Sequence, residues 1–117
     1  MKDYSKMSDF EINKAIASSL GFKYIGRTWI DGADGIYHAV EKNDRRTDLP
    51  NYCNNPSDAL PLIESNLICL MADVFCEPQD GGKWIAQPAY GWQHERVRND
   101  NPLRAAMIVY LMMKDVE

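Results

Sequence analysis

The segment Asn101-Pro102-Leu103-Arg104-Ala105-Ala106-Met107-Ile108-Val109-Tyr110-Leu111-Met112-Met113-Lys114 decides the fold. It predicts a helix from Pro102 to about Lys114, because Asn is a preferred N-cap and Pro loses nothing at the first helical position. The predicted helix is apolar around most of its circumference, with Arg104 as the exception. It must therefore be covered on more than one side, by a sheet and another helix or by a second subunit, so a homodimer also fits.

The N-terminal third of the chain predicts a helix followed by a hairpin. Ser8-Asp9-Phe10-Glu11 is a capping box that starts an amphipathic helix, and Gly21 supplies its left-handed end. The stretches Phe22 to Ile30 and Ile36 to Val40 are rich in aromatic and branched residues and flank a turn with two glycines. They predict two antiparallel strands on which the first helix packs.

The middle of the chain predicts a short helix and a second hairpin. Residues Glu41 to Asn54 are polar, which is typical of a surface loop. A helix is expected from Pro56 to about Glu64. The apolar run Asn66 to Glu77 and the segment Trp84-Ile85-Ala86 flank Asp80-Gly81-Gly82, and this arrangement predicts the hairpin.

The element order α-β-β-α-β-β-α predicts the fold class. A polar connection over Gly91 to Asn101 leads from the second hairpin to the last helix. We expect one α+β domain over residues 1–117, a sandwich in which three helices pack on one antiparallel sheet of about four strands. A chain of 117 residues is long enough to bury a sizeable core.

Composition restricts the classes of function. The net charge is −4 and the 13 basic residues are scattered, which argues against binding to a nucleic-acid polymer. The polar N-terminal segment resembles neither a secretion signal nor a membrane anchor, so a cytoplasmic protein without a membrane partner is expected. Cys53, Cys69 and Cys76 are odd in number and lack a C-x-x-C pair, which predicts free thiols.

Three blocks of the chain are long and unusual enough to be specific. They are Tyr4-Ser5-Lys6-Met7-Ser8-Asp9-Phe10-Glu11-Ile12-Asn13-Lys14, Tyr52-Cys53-Asn54-Asn55-Pro56-Ser57-Asp58-Ala59 and Asn101-Pro102-Leu103-Arg104-Ala105-Ala106-Met107-Ile108-Val109. Together they resemble the NinX family of lambdoid phage proteins. Two positions depart from that family's pattern, since Leu60 stands where members often carry an aromatic residue and Asn51 where they often carry an acidic one.

The resemblance implies a phage or prophage accessory protein with no assigned reaction, acting inside the infected bacterial cell. Small phage proteins bind and neutralise host components, including nucleotide signals of bacterial defence. By that analogy the resemblance suggests sequestration of a ligand, although a fold does not fix a function.

The two Asn-Pro helix starts are the predicted ligand site. Helix N-termini leave backbone donors and a positive dipole end free, so two starts brought together by the fold could hold an anion. Arg104 would pair with the anion bidentately, and Tyr52 or Trp92 would stack on the ligand. The orienting side chains would be Asn54, Asn55, Ser57 and Asn101.

A purely structural alternative exists for the same residues. Short polar side chains at a helix start often satisfy their own backbone in a cap or an Asx turn. Arg104 would then form an ion pair with Asp9, Glu11 or Asp58.

The sequence therefore predicts a non-enzymatic binding protein for a small anionic or nucleotide-like ligand. One alternative is a module that inhibits or redirects a host protein through the last helix or Tyr90-Gly91-Trp92. Another is a small nucleotide hydrolase that uses His38 or His94. No His and Cys spacing indicates a metal site, and no cofactor is expected.

Overall fold

The structure is a computed structural model that describes residues 3–30, 35–89 and 96–115. This part of the chain forms three α-helices and two antiparallel sheets of three strands each, in the orders β1-β2-β3 and β4-β5-β6. The α+β class and the three predicted helices are confirmed. The bounds are α1 (Asp9–Ser19), β1 (Lys23–Trp29), β2 (Ile36–Lys42), β3 (Arg45–Asp48), α2 (Pro56–Ser65), β4 (Ile68–Ala72), β5 (Trp84–Pro88), β6 (Val97–Asn99) and α3 (Pro102–Asp115).

The predicted single sheet of about four strands is wrong. The two hairpins, β1 with β2 and β4 with β5, belong to separate sheets, and each sheet gains a third strand. Strand β3 lies where a loop was expected, because Asn43 and Asp44 adopt φ of 54° and 63° and form a two-residue turn. Turns with positive φ at both central residues match the twist of a hairpin. Strand β6 lies within the expected polar connection.

Helix α1 begins and ends as predicted. The Ser8 hydroxyl accepts a hydrogen bond from the Glu11 amide at 3.1 Å, and the Glu11 carboxylate accepts one from the Ser8 amide at 3.3 Å. Gly21 follows the helix with a φ of +94°, the left-handed conformation that glycine adopts without strain. The capping box and the glycine stop are both confirmed.

Helix α3 is the central element of the core. It contacts α1, α2 and all three strands of the second sheet. Residues 105–111 are buried without interruption, as expected for a helix covered on more than one side. Its N-terminus lies beside α1 and the start of α2, which brings the two Asn-Pro helix starts together.

The aromatic residues divide between core and surface. Tyr52 and Tyr110 are buried in the main hydrophobic cluster. Trp29, the last residue of β1, is 60% exposed. In the described ranges, no helix has the length and apolar character needed to cross a membrane.

Candidate functional site

The two Asn-Pro helix starts are neighbours in the structure. The side-chain amide of Asn101 donates to Asn54 Oδ1 at 3.0 Å and to the Cys53 carbonyl at 2.8 Å. The juxtaposition that an anion site between the helix starts requires is therefore present.

The backbone donors at these helix starts are already used. Asn55 Oδ1 accepts from the Ser57 amide at 3.0 Å, which caps α2. Asn101 Oδ1 accepts from the amides of Leu103 at 3.0 Å and Arg104 at 3.3 Å at the start of α3. Capping by these side chains satisfies the amides that would otherwise face an anion.

Arg104 is committed to the protein itself. Its Nη1 donates to Asp9 Oδ1 at 2.6 Å, and its Nη2 donates to the carbonyls of Met7 at 2.6 Å and Ser5 at 3.2 Å. The Arg104 side chain is only 14% exposed. This is the structural alternative that the sequence left open, with Asp9 as the ion-pair partner.

Asp9 is held ionised by two partners from different elements. The pKa of its carboxyl is lowered, mainly by a hydrogen bond from Asn54, and the hydrogen bond and charge of Arg104 lower it further while burial acts in the opposite direction. Asn54 Nδ2 donates to Asp9 Oδ2 at 3.0 Å and to Asn51 Oδ1 at 3.1 Å. The carboxylate thus joins α1 to the segment before α2 and to α3.

A buried asparagine extends this arrangement into the core. Asn13 Oδ1 accepts from the Cys53 amide at 3.1 Å, and Asn13 Nδ2 donates to Asn51 Oδ1 at 3.2 Å. The connected side chains form a polar joint between α1, α3 and the segment that precedes α2. We call this set the corner network, and it comprises Asp9, Asn13, Asn51, Asn54, Asn101 and Arg104.

The remaining predicted site residues fall into three groups. The prediction that Tyr52 stacks on a ligand does not fit the structure, because Tyr52 is only 4% exposed and lies in the core. Burial, followed by the charge of Asp58, raises the pKa of Tyr52 to about 12. Asn55 and Ser57 are exposed at the start of α2. Trp92, like His94 and the segment Tyr90-Gly91-Trp92, lies outside the described residues.

His38, the other residue of the hydrolase alternative, has structural partners. Its Nδ1 lies 2.8 Å from the Tyr24 hydroxyl, and its ring centroid is 4.5 Å from that of Phe10. These contacts fasten β1 and β2 to α1. Across the described ranges, no three His, Cys, Asp or Glu residues are grouped closely enough to hold a metal ion.

A different arginine pair borders open space. Arg45 and Arg46, in the edge strand β3, both line two surface clefts of about 350 and 440 Å³. The smaller one, which we call the arginine cleft, is completed by Trp29 and Asp44. The larger one is lined by Phe22, Lys42, Asn43, Arg45, Arg46 and Thr47.

The two arginines of the arginine cleft have no ion-pair partner in the part of the chain that the structure describes. Arg45 and Arg46 are exposed, and neither forms an ion pair or a hydrogen bond with any side chain in the described parts of the chain. Their neighbour Lys42 differs, since its Nζ donates to the Leu20 carbonyl at 2.8 Å. Within residues 3–30, 35–89 and 96–115, the two guanidinium groups thus have no charged partner.

Sequence reasoning missed this cleft, although one signal for it exists. Asn and Asp tolerate positive φ, so Asn43-Asp44 between Lys42 and Arg45 is a candidate hairpin turn. That turn would have placed both arginines on an edge strand instead of in a loop. Trp29 pairs with Ile36, at the other end of β2 from the Lys42–Arg45 pair, so its place in the same cleft has no local signal.

The arginine cleft offers three kinds of chemistry. A guanidinium group binds phosphate or carboxylate through paired hydrogen bonds. The exposed indole of Trp29 is a surface on which a planar ring stacks. The Asp44 carboxylate accepts hydrogen bonds from hydroxyl groups, such as those of a sugar.

Comparison with known proteins identifies the family. The family model described as "Bacteriophage P22, NinX" matches residues 3–114, which is nearly the whole chain. The chain therefore belongs to the NinX family, and the resemblance of the three sequence blocks is confirmed. Neither the curated proteins nor the solved structures gave a significant match.

Proposed function

We propose that this member of the phage NinX family binds a small anionic, nucleotide-like ligand in the arginine cleft and does not transform it. The observation that carries the proposal is the pair of guanidinium groups, Arg45 and Arg46, which have no ion-pair partner among the described residues and line one cleft with the exposed indole of Trp29.

The anionic part of the ligand follows from the charges. Arg98 and Arg104 are neutralised by Asp73 at 3.0 Å and by Asp9 at 2.6 Å. Arg45 and Arg46 have no such partner in the described ranges, although the chain as a whole is acidic. Two guanidinium groups outnumber the single Asp44 carboxylate among the lining residues of this cleft, and they favour a phosphate group, which can accept hydrogen bonds from both.

The nucleotide-like part follows from the other two side chains. Trp29 supplies a stacking face for a base, and such stacking contributes about 1 to 3 kcal/mol in proteins that bind nucleic-acid bases. Asp44 repels a phosphate but accepts a sugar hydroxyl, so a nucleotide fits the arginine cleft better than inorganic phosphate does. The volume of about 350 Å³ is in the range of small-molecule sites.

The corner network is the weaker candidate for the same ligand. To bind an anion there, Arg104 would have to leave Asp9 and the carbonyls of Ser5 and Met7. Those acceptors would then be left without their charged partner, and water would replace it only in part because the Arg104 side chain is 14% and the Asp9 side chain 43% exposed. An anion at this place therefore has to compete with three existing hydrogen bonds.

Binding without reaction suits a phage protein that sequesters a nucleotide signal of its host. Sequestration needs affinity and no reacting group. The arginine cleft contains guanidinium, indole and carboxylate groups, which are sufficient for recognition.

A thermal-shift screen with mono-, di- and cyclic nucleotides and with inorganic phosphate tests the proposal. A ligand at a hundred times its dissociation constant stabilises the folded state by about 2.7 kcal/mol. We expect at least one nucleotide to raise the melting temperature, and inorganic phosphate to do so less.

Matched variants locate the site. The double variant Arg45→Ala/Arg46→Ala should lose the shift, whereas Arg96→Ala, which removes an exposed arginine outside the cleft, should keep it. The proposal is wrong if no nucleotide shifts the wild-type protein, or if the double variant binds as well as the wild type.

A further inference from the structure

Strand β4 exposes an unpaired backbone edge. The Ala89 amide donates to the Leu67 carbonyl at 2.9 Å, and the Asp73 amide donates to the Lys83 carbonyl at 2.7 Å. In an antiparallel pair, bonded positions alternate with positions that face away. Because Leu67 and Asp73 bond toward β5, the amides and carbonyls of Ile68, Leu70 and Ala72 point away from it. None of these groups has a hydrogen bond to another described residue.

The other edges of the two sheets are protected in known ways. Strand β1 has an irregular register between Tyr24 and Gly26, and β3 consists of charged residues and one threonine. Strand β6 has only three residues, of which one is Arg98. Bulges, charges and shortness each discourage pairing with another strand.

Strand β4 lacks all of these protections. It reads Ile68-Cys69-Leu70-Met71-Ala72, with no charge, no proline and no break in register. Leu67 and Met71 are 56% and 39% exposed. A regular, uncharged edge of this kind is expected to be paired in a soluble protein.

We propose that two copies of this chain pair through β4 in antiparallel orientation, about a two-fold axis at Leu70. This register places Leu70 opposite Leu70 of the second copy, and Ile68 opposite its Ala72. The three outward amides of each copy then meet the three outward carbonyls of the other, so six hydrogen bonds form. If the register shifted by two residues, the outward amide and carbonyl at one end of each β4 strand would have no partner in the β4 strand of the other copy.

The side chains also fit a second copy. Cys69 lies opposite Met71 of the second copy, so apolar side chains meet at every position of the strand. Asp73, which directly follows the strand, has its carboxylate already paired with Arg98 at 3.0 Å. No like charges oppose one another across this pairing. The β4-β5-β6 sheets of the two copies join into one sheet of six strands, in the order β6-β5-β4-β4-β5-β6.

The mass in solution and an edge-blocking variant test the pairing. Sedimentation equilibrium should give twice the mass of the chain. Ala72→Pro removes an outward amide and leaves the β4–β5 hydrogen bonds intact, so it should weaken the dimer about tenfold or more while circular dichroism stays unchanged. The control variant Gln87→Lys places a charge on the inner strand β5, on the face of the sheet that carries its partner Cys69. Because β5 is not at the proposed interface edge, this variant should keep the dimer.

Disulfide formation tests the register itself. In a Cys76→Ser background, Met71→Cys places a thiol opposite Cys69 of the second copy, at a Cα separation of about 4.5 Å that a disulfide can span. With glutathione disulfide as oxidant, which leaves as two glutathione thiols, the subunits should become linked covalently. Cys69 of one copy lies diagonal to Cys69 of the other, about 7 to 8 Å apart, so the background protein should not crosslink.

Two results would overturn the proposal. One is a monomeric mass at every concentration. The other is a dimer that Ala72→Pro does not weaken and Met71→Cys does not crosslink. The added variant Cys69→Ser must abolish any crosslink, because the thiol at position 71 then has no counterpart.

Discussion

The corner network and the arginine cleft both place arginine beside short polar side chains, but their hydrogen-bonding states are opposite. In the corner network, Arg104 has an aspartate and two backbone carbonyls as acceptors. In the arginine cleft, Arg45 and Arg46 have no acceptor in the described chain. The comparison teaches that an arginine at a helix start is a weak sign of a ligand site until its acceptors are known.

The largest expected effect comes from removing the arginine of the corner network. Arg104→Ala should lower the free energy of unfolding by about 2 to 3 kcal/mol, because Asp9 and two carbonyls lose a charged donor. Arg45→Ala should change it by less than about 0.5 kcal/mol, because an exposed arginine without partners adds little to stability. Chemical denaturation of both variants measures the difference. Equal losses would remove the distinction between the two regions.

The next effect should appear only in ligand affinity. Trp29→Ala should weaken nucleotide binding by about 2 kcal/mol, roughly thirtyfold, through loss of stacking. Its melting temperature without ligand should stay near that of the wild type, since the indole is mostly exposed. Titration calorimetry, with a nucleotide found in the screen, measures the affinity. Unchanged affinity would exclude Trp29 from the site.

A smaller loss of stability is expected at the helix starts. Asn101→Ala removes the cap of α3 and the bond to Asn54, which should cost about 1.5 kcal/mol. Asn55→Ala removes only the cap of α2 and should cost about 1 kcal/mol or less. Urea denaturation should rank Asn101→Ala below Asn55→Ala in stability. The reverse order would mean that the hydrogen bond between Asn101 and Asn54 contributes nothing to stability.

The smallest effect is a pH dependence confined to the corner network. Because the pKa of Asp9 is lowered in the folded state, its contribution is fully present above its ordinary value of 3.8. That contribution is lost as the pH falls below 3.8 through the lowered folded pKa. Melting curves of the wild type and Asp9→Asn should therefore converge in acid. A constant gap at all pH values would show that the Asp9 charge is not involved.

Much of the fold was predictable because its signals are local. The capping box at Ser8 and Glu11, the β1–β2 hairpin and the apolar α3 all depend on neighbouring residues. Strand β3 was missed because all four of its residues are exposed, so it has no alternation between apolar and polar positions. The division into two sheets was missed because sequence patterns indicate strands and not their pairing across the fold.

The candidate site was only partly predictable for a similar reason. The two Asn-Pro starts indicated a polar corner, and they do adjoin. Whether their donors were free depended on Asp9, which precedes Arg104 by 95 residues. The arginine cleft likewise combines Trp29 with residues of a different strand. No local pattern reports which distant side chain consumes a donor.

The reactivity of Cys53 reports on opening of the corner network. The thiol is fully buried, and burial raises its pKa to about 12, so the thiolate that would attack an alkylating reagent does not form while the joint is closed. Its own amide and carbonyl bond to Asn13 and Asn101. The rate at which an alkylating reagent labels Cys53 therefore measures how often the segment before α2 separates from α1 and the start of α3.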